Sequence, residues 1–405
     1  MTDTLKAQTA KDVEDAVGWA LAEGKTLEIA GQGSKRGLGR PSQSDFTLDL
    51  SALSGVTLYE PEELVLSAKA GTPIAEIEKL VAEKGQELAF EPLDYGPILG
   101  RPAGAGTIGG VLAANLSGPR RIKAGAARDH FLGFTAISGR GETFKSGGRV
   151  VKNVTGYDLC KLLAGSFGTL AAMTDVTIKT LPRSETEATV IVTGLEDDAV
   201  AAPMAAAMGS SCDVSGAAHL PGHVTRHFDG LHSALAVTAF RLEGVKPSVK
   251  HRADTLSALL KPFGNVEVIA EKQSRAIWRG IRDAVPFAAT GDSHDRPVWR
   301  VSTEPGKGFA LSETISPGAQ MFYDWGGGLI WILMPPADDA GAAELRQAVA
   351  TLGGHATLVR APVSIRAATA VFQPQDEAVA ALTKRVKDSF DPKGILNPGR
   401  MWAGV

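Results

Sequence analysis

The chain has 405 residues, enough for two or three domains with ample core. Its 42 basic and 45 acidic residues leave a formal charge of -3, which argues against a nucleic-acid or polyanion binder, and 44% hydrophobic with 21% charged residues is the composition of a globular protein. No apolar run reaches about 18 residues, and the start, MTDTLKAQTAKDVEDAVGWA, carries acids where a secretory signal needs a basic end, so a cytoplasmic chain is expected. Two cysteines, Cys160 and Cys212, are too few for an iron–sulfur cluster ligated within the chain and read as small buried hydrophobes.

Val13, Ala16, Val17, Ala20 and Leu21 recur at helical spacing, with Thr9 as a capping start and Gly24 as the stop. The stretch Leu27 to Gly39, LEIAGQGSKRGLG, then reads as a strand feeding a glycine-rich turn. Such a turn aims several backbone N–H groups at one anion, and Ser34, Lys35 and Arg36 add a hydroxyl and two positive charges; an ordinary surface turn has the same local pattern. Phe46 to Leu50 and two runs around Glu60-Pro61 read as strands, and TPIAEIEKLVAEKG as a second helix with Pro73 in its first turn.

Gly104 to Gly118, GAGTIGGVLAANLSG, is low in bulk and charge, which suits either close approach to a flat ligand or glycine-mediated packing. A basic cluster follows at Pro119-Arg120-Arg121 and Lys123, as a solvated rim or as a partner for a phosphate or another surface. From His130 two strands flank a Gly-Arg-Gly turn, Tyr157 to Ala164 reads as helix, and Leu170 to Leu181 as a strand ended by Pro182. Composition changes there, placing a boundary near residue 183. Beyond it, ATVIVTG, ALAVTAFRLEG, NVEVIA, PVWRVST and GGLIWILMP read as strands, with DDAVAAPMAAAMG, KHRADTLSALLKPFG and AAELRQAVATLGG as helices on one face of an α+β unit. Four of the six tryptophans, at 278, 299, 325 and 331, fall here and read as packing residues, with one of them free to face a ligand.

Taken together, GQGSKRG at 31 to 37, TIGGVLAAN at 107 to 115, VKNVTGYDL at 151 to 159, GSFGTLAAMTDVTIK at 165 to 179 and FDPKGILNPGR at 390 to 400 resemble the vanillyl-alcohol-oxidase type of FAD-linked oxidase. SGPRR at 117 to 121, RDHFLG at 128 to 133 and GGRVVKNVTGYDL at 147 to 159 look most like the FAD-binding subunits of bacterial glycolate-oxidising complexes. The resemblance implies an α+β fold: a two-part FAD-binding domain over 1–183, an α+β cap over 184–370, and a segment, 371–405, that returns to the FAD domain. It puts Gly31, Gln32, Gly33, Ser34, Lys35, Arg36 and Gly37 on the loop that holds the FAD diphosphate. Thr107, Gly109, Gly110, Asn115 and Gly118 fall on a second cofactor-lining segment, Gly168 where the chain passes the flavin ring, and Asn397 in the returning tail. The first loop holds no histidine, unlike that of relatives with covalent flavin, so noncovalent FAD is expected.

The implied partners are a homologous FAD-containing catalytic subunit and an iron–sulfur subunit, with peripheral attachment at the inner membrane through them, and a small 2-hydroxy acid is the implied substrate. Catalysis is the weak part of the match, because the histidine-rich cap motif of relatives that oxidise 2-hydroxy acids is missing. His219, His223, His227 and His232 cluster in HLPGHVTRHFDGLH, but Pro221-Gly222 breaks any shared helix and only Asp229 is a nearby acid, so no metal site is expected. Tyr157, Lys152 and Asn153 suit either a helix-start turn or substrate contact. Three roles stay open: an FAD-binding subunit with an electron-transfer or assembly role, a self-sufficient dehydrogenase of a small 2-hydroxy acid, and a chain that has kept the fold and lost FAD.

Overall fold

The computed structural model describes residues 3–148, 156–228, 231 and 234–405; Lys152, Asn153, Asp229 and His232 lie outside them. The α+β architecture expected from the sequence is the one adopted. A small parallel sheet, in the order Asp3–Lys6, Phe46–Asp49 and Leu27–Ala30, packs against the helix Ala10–Glu23. That helix starts in a capping box, Thr9 accepting from the Asp12 N–H and Asp12 accepting from Thr9, and stops at Gly24 with φ 62°. Five antiparallel strands form the second sheet, ordered Val56–Glu60, Val65–Lys69, Ala171–Lys179, Phe131–Ser138 and Thr143–Gly147.

The third sheet has eight antiparallel strands: Asn265–Ile269, Thr186–Thr193, Val237–Gly244, Gly216–Leu220, Gln320–Asp324, Leu329–Leu333, Val298–Ser302 and His355–Arg360. Its side chains alternate between two cores, as strand geometry requires. Val190, Phe240, Tyr323 and Ile330 point under the helices Ala201–Met208, Lys246–Leu260 and Ala342–Leu352. Ile191, Ala239, Phe322 and Trp331 point the other way, into a core shared with the five-stranded sheet and the helix Glu271–Arg282. Both faces are therefore dry, which is why these strands read as unbroken apolar runs. The strands of this sheet run from Thr186, a few residues past the compositional change, to Arg360, and we propose domain limits near 183 and 370.

The tail closes on the small sheet. Leu27 N–H donates to the Ile395 carbonyl at 2.7 Å, and Asn397 N–H to the Leu27 carbonyl at 2.9 Å. The buried Asp391 carboxylate accepts from the Ile395 and Leu396 N–H groups and from Lys387 Nζ, whose other donors reach the Thr169 and Leu396 carbonyls. The end of the chain is thereby fixed beside the glycine-rich turn.

A second lock joins the eight-stranded sheet to the first domain. Arg241, buried on Val237–Gly244, donates to both oxygens of Glu91 at 2.7 and 3.0 Å, while Arg120 donates to both oxygens of Glu243 at 3.1 and 2.8 Å and pairs with Glu87 at 3.1 Å. Burial by itself would raise the Glu91 pKa, but the Arg241 and Arg120 charges prevail and hold it at about 2.

Candidate functional site

The strand Leu27–Ala30 ends at Gly31, and the chain then turns without regular structure to Gly39. Because the strand has stopped, the N–H groups of Gly31, Gln32, Gly33, Ser34 and Lys35 find no acceptor among the described residues. Gly33 holds φ 73°, a left-handed conformation that lets successive amides converge on one anion. Opposite lies Thr107, N-cap of the short helix Ile108–Ala113, its hydroxyl accepting from Gly110 N–H. The walls approach so closely that a Cβ on Gly31 would stand 2.7 Å from Thr107 Oγ1, and one on Gly110 would stand 3.0 Å from Lys35 Cε. Bulk is excluded there by contact, not only by composition.

Gly31 through Arg36, Thr107, Gly110 and Asn397 line one cleft, and Gly109, Gly110 and Gly168 line its continuation. Gly37 and Gly118 stand apart from both. A Cβ on Gly37 would face Leu99, and one on Gly118 would strike Glu91 and Arg282 within 2.9 Å, so Gly118 serves the packing between domains. Asn115, at φ 49°, borders a larger cavity and accepts from Arg128 N–H. The Asn397 amide is used by the protein: its oxygen accepts from Ile29 N–H at 2.8 Å and its nitrogen donates to the Phe167 carbonyl at 2.7 Å. Arg36 likewise pairs with Glu28 and Thr47.

The other positive charges beside the loop are Lys35 and Arg400, the latter 3.7 Å from the Glu28 carboxylate and not singled out in the sequence although it ends the NPGR motif. Arg400 Nη2 donates to the Lys35 carbonyl at 2.8 Å, while its buried Nε has no protein partner. Lys35 Nζ donates to Ser34 Oγ, and burial pulls its pKa down to about 8, with Asp94 acting in the opposite sense. Free amides, an orphaned guanidinium nitrogen and a buried cation that no carboxylate touches among the described residues all suit a diphosphate.

A larger cavity of about 590 Å³ opens where the two domains meet and shares Ala114 and Phe167 with the cleft. Its lining includes Tyr95, Arg121, Arg300, Trp325 and His355. Burial, then the Arg300 and Arg121 charges, lower the His355 pKa, so its imidazole is neutral near pH 7. The histidine cluster is elsewhere. His219 is buried on its strand between Thr238 Oγ1 at 2.9 Å and Asp197 at 3.2 Å, and His223 Nε2 accepts from Met321 N–H. Among the described residues, no three His, Cys, Asp or Glu side chains converge in a way that would hold a metal. Both cysteines are buried and unbonded, Tyr157 is 88% exposed and touches neither cavity, and no helix among the described residues is long and apolar enough to cross a membrane.

This arrangement matches known proteins along nearly the whole chain. The family model described as FAD binding domain matches residues 4–147, and that of the FAD linked oxidases C-terminal domain matches 367–401. The glycolate oxidase subunit GlcE of Escherichia coli (strain K12) is 32% identical over 390 residues, covering 96% of each chain. The chain belongs to the FAD-linked oxidase family. The glycolate oxidase subunit GlcD of Bacillus subtilis is 24% identical, over 90% of this FAD-linked oxidase and 80% of that protein. The fold is also that of p-cresol methylhydroxylase in its substrate-bound crystal structure, with a TM-score of 0.71 at 14% identity over 98% of this chain and 88% of that one. FAD is thus the cofactor of this oxidoreductase, and the cleft has the donors its diphosphate requires.

One consequence concerns pH. With the FAD diphosphate seated on this loop, as proposed below, the charged form of Lys35 would be the one that binds, and its pKa would rise above the free value of about 8. The affinity for FAD is therefore level below that value and falls above it, by up to about tenfold per pH unit. Fluorescence titration of the apoprotein with FAD from about pH 6.5 to about 9.5 measures this, and Lys35→Met flattens the profile at weaker affinity.

Proposed function

We propose that this chain is the FAD-binding subunit of a glycolate-oxidising complex, which converts a 2-hydroxy acid to the 2-oxo acid, and that it acts beside a homologous flavin subunit and an iron–sulfur subunit. The observation that carries the reading is the cleft itself: five consecutive free amides, Lys35 and Arg400 face a wall of Thr107 and Gly110, in a chain that is collinear with the E. coli GlcE subunit. Bound FAD supplies a two-electron acceptor for oxidation of an alcohol carbon. The protein's own groups seat and orient it. Gly31 to Lys35 hold the diphosphate, Thr107, Gly109 and Gly110 let the cofactor approach the backbone, and Phe167 with Gly168 carries the cleft toward the interdomain cavity. With two buried cysteines and no cluster of their own, the residues of this chain leave onward electron transfer to a partner.

The interdomain cavity favours a second reading, a self-sufficient dehydrogenase of a small 2-hydroxy acid, because a neutral His355 stands there in the right protonation state to accept a hydroxyl proton. Anaerobic addition of glycolate to the purified chain separates the two. Under the first reading the flavin absorbance near 450 nm, about the usual flavin maximum, stays unchanged in the isolated chain and falls only in the assembled complex. Bleaching by the isolated chain replaces the first reading with the second.

A further inference from the structure

The interdomain cavity holds two cations that form no ion pair among the described residues; Asp129 and Asp324 offset the charges of Arg121 and Arg300 only from beyond contact distance. Arg121 comes from the short helix Arg121–Ala124 of the first domain, and Arg300 from the middle of Val298–Ser302 in the eight-stranded sheet. Their guanidinium carbons stand 4.3 and 4.9 Å from the centre of the same ring, that of Trp325. Among the described residues, neither side chain donates a hydrogen bond or forms an ion pair. Other inward-facing arginines have acceptors within the protein: Arg241 has Glu91, Arg120 has Glu243, and Arg360 has four backbone carbonyls. The contrast matters because desolvating a guanidinium without a partner is costly, and burial lowers the pKa of both groups.

The surroundings are fitted to keep these charges facing inward. Asp376 is the one acid lining the cavity, and its carboxylate caps the next helix by accepting from Val379 N–H. Trp325 is held in place by its Nε1–H, which donates to the Gly118 carbonyl at 3.1 Å, and by Asp324, which accepts from its backbone N–H. Trp325, Gly326 and Gly327 all have positive φ, at 53°, 65° and 90°, a region in which a non-glycine residue such as Trp325 is strained. The protein thus spends strain to present one indole face-on to two unpaired guanidinium groups, one from each domain.

We propose that Arg121 and Arg300 together bind the carboxylate of a small carboxylic acid in the interdomain cavity, with Trp325 as the wall against which it lies. Planar guanidinium forks match a carboxylate, and a site completed by both domains closes only when they are docked. That the acid is a 2-hydroxy acid or its 2-oxo product rests on the functional reading above; the anion site stands without it.

The test is calorimetric titration of the purified, FAD-loaded chain with sodium glycolate, its neutral analogue glycolamide, and inorganic phosphate. Glycolate is expected to bind saturably, glycolamide not at all, and phosphate more weakly than glycolate. Arg121→Leu and Arg300→Leu should each weaken glycolate binding about tenfold or more, with Arg121→Lys and Arg300→Lys in between, while flavin absorbance per protein stays at the parent value. Equal binding of glycolate and glycolamide, tighter binding of phosphate, or leucine variants that bind like the parent would overturn the proposal. A chain that purifies without FAD yet binds glycolate through both arginines refutes the FAD seat and leaves the anion site standing. A flavin-loaded chain indifferent to glycolate does the reverse.

Discussion

Glu91→Gln is expected to lower the unfolding free energy by about 3–5 kcal/mol, the cost of breaking a buried ion pair from one side. Glu91 receives both Arg241 nitrogens, and its second oxygen accepts the Arg120 N–H at 2.6 Å. Removing its charge leaves Arg241, 1% exposed, with Glu243 at 3.4 Å and the more distant Glu187. Replacing both partners, in Arg241→Met with Glu91→Leu, should be milder than either single change, because no uncompensated charge remains. The same pair gives the protein a defined acid limit. The folded-state pKa of Glu91, about 2, lies below the ordinary value of 4.5, so its contribution is complete above about pH 4.5 and is lost as pH falls toward 2. Urea unfolding at a series of pH values measures both effects: the parent loses stability across that window, and Glu91→Gln loses correspondingly less.

Gly33→Asp is expected to weaken FAD binding by about a hundredfold or more. Two penalties coincide: a Cβ at φ 73° costs about 1 kcal/mol or more, and a carboxylate enters a site built to receive an anion. Gly33→Ala carries the first penalty without the second and should retain more flavin. Flavin absorbance per protein after desalting, compared with the urea midpoint of each variant, separates lost affinity from lost fold. Equal flavin content in the parent and Gly33→Asp would remove the diphosphate from this loop.

Much of this was legible locally. Thr9 and Asp12 announce the first helix by their spacing, and Gly31 to Gly37 announce a loop because no strand or helix tolerates that composition. The apolar runs of the second domain were readable as strands, but not their partners, since strand order depends on contacts far apart in sequence. Gly216–Leu220 and Gln320–Asp324 escaped notice: GAAHL has few β-formers, and its His219 drew attention to metal chemistry when the side chain is tied to Thr238 and Asp197. The amphipathic helix Glu271–Arg282 was also missed, having no side-chain cap to mark its start. At the site, Gly31 to Arg36, Thr107, Gly110 and Asn397 come together along one cleft, whereas Gly37 and Gly118 stand apart from it. Asn397 and Gly118 serve the backbone and the domain contact, while Arg400, Arg121 and Arg300 supply charge. Arg121 and Arg300 are brought to one indole by tertiary docking alone, so no local pattern connects them.

Reconstitution of the proposed complex is the sharpest test of an electron-transfer role for this chain's FAD. Parent or Gly33→Asp chain is combined with the homologous flavin subunit and the iron–sulfur subunit, and glycolate-dependent reduction of an artificial acceptor is followed. The account predicts that turnover falls in proportion to the flavin missing from this chain while the complex still assembles. Undiminished turnover by a complex whose copy of this chain carries no FAD would contradict it.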